Sequence, residues 1–84
     1  MRIKTTIKTI TLKQIDAEAL WRVIGAKVKV LREKKNITQV DLSQRLGWSR
    51  TSTTNLETGR QHTPLEALYN IALVFDVDIT ELLP

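Results

Sequence analysis

The segment Thr38–Gly59 reads TQVDLSQRLGWSRTSTTNLETG. It carries two short helical patterns separated by a tight turn at Gly47, and each opens on a hydroxyl residue suited to an N-cap, Thr38 and Ser49. The first pattern covers Gln39–Leu46. Leu42 and Leu46 point inward, Ser43 is the small residue near the crossing, and Asp41 and Arg45 form an outward i,i+4 pair. The second covers about Arg50–Thr58, with Gly59 as its stop. Thr53 and Leu56 face inward there, leaving Arg50, Thr51, Thr54 and Asn55 on the opposite arc.

Two helices at this spacing form the layout of a helix-turn-helix, in which the first helix braces a second that enters the DNA major groove. Outward from this motif, the pattern before it is helical from about Asp16 to Lys35. Leu20, Ile24, Val28 and Leu31 recur at spacings of four, four and three, with Trp21 and Val23 widening the apolar area. Asp16 is the expected N-cap, and Asn36 the expected left-handed residue at the helix end. After the motif, Thr63-Pro64-Leu65-Glu66 combines a capping box with proline at the first helical position. It predicts a fourth helix to about Phe75 with Leu65, Leu68, Ala72 and Phe75 on its core face. Asp78-Ile79-Thr80-Glu81 repeats the capping-box spacing and predicts a short fifth helix carrying Ile79, Leu82 and Leu83. The fold class expected is all-α, a compact five-helix domain over residues 16–84, with residues 1–15 as an extension.

That extension begins MRIKTTIKTI, rich in Ile and Thr and carrying Arg2, Lys4 and Lys8. Ile3 and Ile7 fall on one side of a strand, and β-branched residues favour strand. Three readings stand open: a basic tail, a strand that pairs with the same strand of a second subunit, or an arm along DNA.

Composition narrows the function classes. Eighty-four residues make one small domain, in which oligomerisation would add buried apolar surface. There is no cysteine, which suits a reducing cytoplasmic location and removes thiolate chemistry. The longest uninterrupted apolar run, Ile71–Phe75, is far too short to span a bilayer, and the basic N-terminus is not followed by the apolar stretch of a signal peptide. The single histidine, His62, lacks a second soft ligand, so no metal site and no cofactor are expected. Nucleophile–base pairs are scarce, the carboxylates read as caps and helix-surface pairs, and no Gly-rich phosphate loop occurs; an enzyme is not expected.

Charge is segregated along the chain. Residues 1–60 hold all 13 Lys and Arg and five acids, a net of +8, whereas residues 61–84 hold four acids and no Lys or Arg, a net of −4. A basic face set apart from an acidic end fits an electrostatic footprint on DNA, with the acidic end turned away from phosphate.

Ile24-Gly25, Val28, Leu31-Arg32, Thr38-Gln39, Leu42, Leu46-Gly47, Ser49-Arg50, Leu56-Glu57, Gly59 and Pro64-Leu65 occur in that order, followed by Leu68, Ile71-Ala72 and the tail Val77–Leu83. On this series the chain from about Ile24 to Leu83 resembles the Cro/repressor-type (XRE-like, lambda-repressor-like) helix-turn-helix family. The resemblance implies a DNA-binding transcriptional regulator and assigns roles by position. Arg50, Thr51 and Asn55 stand where the recognition helix reaches base edges. Gln39, Thr54, Arg60 and Gln61 stand where phosphates are touched, and Arg32 and Glu57 where a structural ion pair joins the first and third helices. Thr53 and Trp48 depart from the family pattern, which has Ile or Val at both positions, and the Trp48 indole is expected to fill volume that Thr53 leaves. Leu73 replaces an outward polar residue near Tyr69, and Asp76 replaces a glycine. Together with Ile3, Ile7, Leu82 and Leu83, Tyr69 and Leu73 are the candidates for a dimer or partner surface. The expected function is repression by a homodimer on a palindromic operator. The alternative is an antitoxin that neutralises a partner toxin protein and regulates its own operon.

Overall fold

A computed structural model describes residues 16–84. The expected strand with Ile3 and Ile7 lies outside these residues. Within them the chain is entirely helical: α1 (Ala17–Lys34), α2 (Gln39–Leu46), α3 (Arg50–Glu57), α4 (Leu65–Phe75) and a 3-10 turn (Ile79–Leu82).

Side-chain caps start most of these elements. The Asp16 carboxylate accepts from the Glu18 and Ala19 N–H groups at 3.1 and 3.2 Å, and the Thr38 hydroxyl accepts from Asp41 N at 3.0 Å. Ser49 caps α3 by accepting from Ser52 N at 3.1 Å. The helix ends share one device. Each α-helix stops at a left-handed residue, Asn36 (φ 58°), Gly47 (φ 71°), Gly59 (φ 79°) and Asp76 (φ 57°). Its own N–H and that of the next residue fold back on the last turn, as in Gly47 N to Gln44 O at 3.2 Å and Trp48 N to Ser43 O at 2.8 Å.

One core holds the helices together: Ile24 and Val28 from α1, Leu42 from α2, Leu56 from α3, Leu68, Ile71, Ala72 and Phe75 from α4, and Leu82 from the 3-10 turn. Helices α1 and α3 cross without a spacer. A Cβ added at Gly25 would overlap the Leu56 carbonyl oxygen, so the α1 backbone rests directly on the end of α3. At Gly59 a Cβ would stand 2.7 Å from the Arg22 Cα, which excludes larger residues independently of the positive φ.

The same crossing is tied by charge. Arg32 Nε donates to Glu57 Oε2 at 2.6 Å and Nη2 donates to Oε1 at 3.1 Å, while Nη1 donates to the Ile37 carbonyl at 2.8 Å. Both residues are buried. The hydrogen bond to Glu57 raises the Arg32 pKa above its already high ordinary value, so the guanidinium stays charged.

Three expectations are corrected. The fifth helix is a 3-10 turn, closed by i→i+3 bonds such as Leu83 N to Thr80 O at 3.2 Å. Pro84 disfavours helical backbone at Leu83, which is extended (ψ 152°), and the turn stops there. Helix α4 starts one residue later than the capping box implies. Pro64 is the N-cap, and Thr63 turns inward, its hydroxyl buried without a partner among the described residues. Leu65, at the mouth of α4, is 61% exposed, and Ile71 takes the core position beside Leu68, Ala72 and Phe75.

Replacing Glu57 by Gln leaves a buried guanidinium without its counter-charge and should cost about 3 kcal/mol, measurable by urea unfolding. Asp76→Gly removes a left-handed aspartate and should stabilise by about 0.5–1 kcal/mol, a rise of several degrees in Tm. The Asp78 carboxylate accepts from Thr80 N and from the Thr80 hydroxyl, which holds its pKa below the ordinary value. Its contribution is therefore present above the unfolded pKa near 3.9 and is lost as pH falls through the lower folded value. Asp78→Asn should flatten the acid limb of a Tm-versus-pH curve.

Candidate nucleic-acid interface

The position of α3 on α2 is set by Leu42 and Leu56 in the core and by a buried hydroxyl pair. Ser43 Oγ donates to the Gln39 carbonyl at 2.7 Å and lies 2.6 Å from Thr53 Oγ1. Ser43 has one hydroxyl proton and uses it on that carbonyl, so Thr53 is the donor to Ser43. Here a hydrogen bond takes the place of the aliphatic packing that Ile or Val would give. Trp48, in the turn after α2, is half-buried against the core cluster.

With its inner face fixed, α3 presents Arg50 and Thr51 as exposed residues, and Thr54 and Asn55 as half-buried ones. Arg50 does not hang free. Its Nε donates to Gln39 Oε1 at 3.3 Å, and the Thr54 hydroxyl donates to the same oxygen at 3.3 Å. The Gln39 amide in turn donates through Nε2 to Glu57 Oε1 at 3.0 Å. A continuous chain of hydrogen bonds thus runs from buried Arg32 through Glu57 and Gln39 to the exposed guanidinium of Arg50. The amide oxygen of Gln39 orients Arg50 and Thr54, and its nitrogen is held by a carboxylate that is itself held by Arg32. The family resemblance implied a phosphate contact for Gln39. Its role as the bridge between α1 and the face of α3 carries no local sequence signal, because Glu57 lies 18 residues away.

The other candidates fall in two places. Exposed Arg60 and half-buried Gln61 sit in the loop after α3, near His62, whose ring stacks on Trp21 with centroids 5.4 Å apart and an interplanar angle of 16°. Tyr69 and Leu73 are 52% and 75% exposed on α4, and Leu65, four residues before Tyr69, extends them into a stripe. Leu82 is fully buried in the core of the single chain, so it offers no surface to a partner, and Leu83 is half-buried against that core. Ile3 and Ile7 lie outside the described residues. Arg22, which lies against Gly59, was not singled out by the sequence. No cluster of His, Asp or Glu among the described residues could hold a metal ion, and no helix among them is long and apolar enough to cross a membrane.

Residues 28–82 match the helix-turn-helix family model HTH_3. The chain is 36% identical over 56 residues to an uncharacterised HTH-type transcriptional regulator of Archaeoglobus fulgidus, covering 67% of this chain and 79% of that protein. It is 32% identical over 59 residues to the ImmF control region 10 kDa protein of Bacillus phage phi105, covering 70% of this chain and 66% of the phage protein's length. In fold it is similar to the restriction-modification controller protein C.AhdI of Aeromonas hydrophila, with a TM-score of 0.70 and 24% identity over 74% of this chain and 94% of that one. The chain belongs to the Cro/repressor-type helix-turn-helix family, HTH_3, a family of DNA-binding transcription regulators.

Proposed function

We propose that this chain is a sequence-specific repressor that binds a palindromic operator as a homodimer in the cytoplasm. The observation that carries this reading is the exposed Arg50 guanidinium at the start of α3, oriented by Gln39 and adjacent to Thr51. An arginine cation at a helix N-terminus opposes the helix dipole, and a nucleic acid offsets that penalty. In the major groove Arg50 forks onto guanine O6 and N7, Asn55 meets adenine, and Thr51 places its methyl against thymine. Gln39, Thr54, Arg60 and Gln61 touch phosphates and set the register. Two-fold symmetry places the half-sites about 34 Å apart. The names of the phage control-region protein and the restriction-modification controller support a role in regulation.

The exposed Leu65, Tyr69 and Leu73 favour a second reading, in which the chain also binds a partner protein. An antitoxin that covers a toxin through this stripe and regulates its own operon fits it, and co-purification of a second chain would support it.

Wild type should prefer DNA from upstream of its own gene over scrambled DNA. Arg50→Ala should lose about 1–3 kcal/mol of that preference while keeping most of the salt dependence, as read by fluorescence anisotropy over a salt series. Equal, weak binding of both DNAs by wild type would sink the sequence-specific reading.

A further inference from the structure

A groove at the far end of α3 is lined by Glu18, Arg22, Thr58, Gly59, Arg60 and His62. It lies outside the face built around Arg50, yet it continues that face. Thr51 and Thr58 are seven residues apart, about two helical turns, so Thr58 carries the exposed arc of Thr51 and Asn55 down to the groove. Three features set the lining of this groove. The close approach of α1 to Gly59 brings the Arg22 backbone against the turn that follows α3. Arg60 follows in that turn, its N–H bonded to the Asn55 carbonyl. The Trp21 stack holds the His62 ring beside them.

Among the described residues neither arginine side chain is tied up in an ion pair. Glu18 precedes Arg22 by one helical turn in the same groove, yet the ion pairs among the described residues are Arg32–Glu57 and Arg45–Asp41. The negative end of the α3 dipole would oppose an anion here, but its last carbonyls are already occupied. Thr54 O accepts from Thr58 N and from the Thr58 hydroxyl, Asn55 O from Arg60 N, and Leu56 O from Gly59 N. Two arginines against one carboxylate leave the groove net positive.

We propose that Arg22, Arg60 and His62 form a seat for a DNA backbone phosphate at the C-terminal flank of the recognition helix, with Arg22 supplying the contact from α1. The assignment rests on the DNA-binding reading above. Arg22 is a positional clamp: it fixes docking without reading sequence, and Glu18 tempers its field.

The test is binding of specific and scrambled duplexes over a salt series, with fold checked by thermal melting. Arg22→Gln should weaken both duplexes alike by several-fold at low salt and reduce the slope of log K against log salt by about 0.9, one phosphate's worth. Arg22→Lys should keep the slope, and the exposed Glu18→Gln should tighten both duplexes. An unchanged slope in a folded Arg22→Gln variant that still shows the Arg50-dependent preference would overturn the phosphate seat and leave the regulator reading standing. Failure of wild type to bind any duplex would overturn both. If inorganic phosphate shifts the His62 ring resonances while the Arg22→Gln slope is unchanged, the groove holds an adventitious ion only, and the DNA assignment fails.

Discussion

The contact on which the rest depends is the bare crossing of α1 over the end of α3. Gly25 lets the two backbones meet, and a few residues further along α1 the Arg32–Glu57 pair locks the meeting in register. A buried pair of this kind adds little net stability over an apolar substitute, but it tolerates no misalignment, because each charge has one partner able to neutralise it. Its remaining valences are also spent on position. Arg32 holds the Ile37 carbonyl at the entry to α2, and Glu57 holds the amide of Gln39 inside α2. One ion pair therefore references three helices to a common point. The exposed guanidinium of Arg50 is the last link of that reference frame, two hydrogen bonds beyond the buried pair.

This arrangement explains how a thin core can hold α3 at a fixed angle. Helices of eight residues, the length of α2 and α3, do not persist alone in water. They hold here because each has a hydroxyl cap at its start and a left-handed stop at its end, and because Leu42 and Leu56 are fully buried. The core supplies cohesion, and the polar links supply angle and register.

Much of the fold was legible in the sequence because its punctuation is local. Asp16, Thr38, Ser49 and Asp78 all act as caps, and Asn36 and Gly47 stop helices where their chemistry suggests. Local signals failed where two of them competed. At Thr63-Pro64 the capping box placed the hydroxyl on the helix axis, but the core drew Thr63 inward, and Pro64, with no N–H to satisfy, took the cap position. Leu65 read as core by periodicity and is exposed, with Ile71 in the core position instead. At the site, the residues that face outward on α3 followed from helical spacing. The bridging of Gln39 and the approach of Arg22 to Gly59 did not, because each joins residues far apart in sequence.

The hydroxyl pair between Ser43 and Thr53 has a consequence for which packings of α2 on α3 can survive. An aliphatic residue at position 53 would accept sliding or rotation of one helix on the other at small cost, since methyl groups pack in many ways. Two buried hydroxyls with a single proton route between them do not: any slip strands a polar group away from water. The pair acts as a discriminator among near-native arrangements, lowering the number of compact states the short helices can share. Conformational uniqueness in this small domain is thus carried partly by a polar pair inside its core.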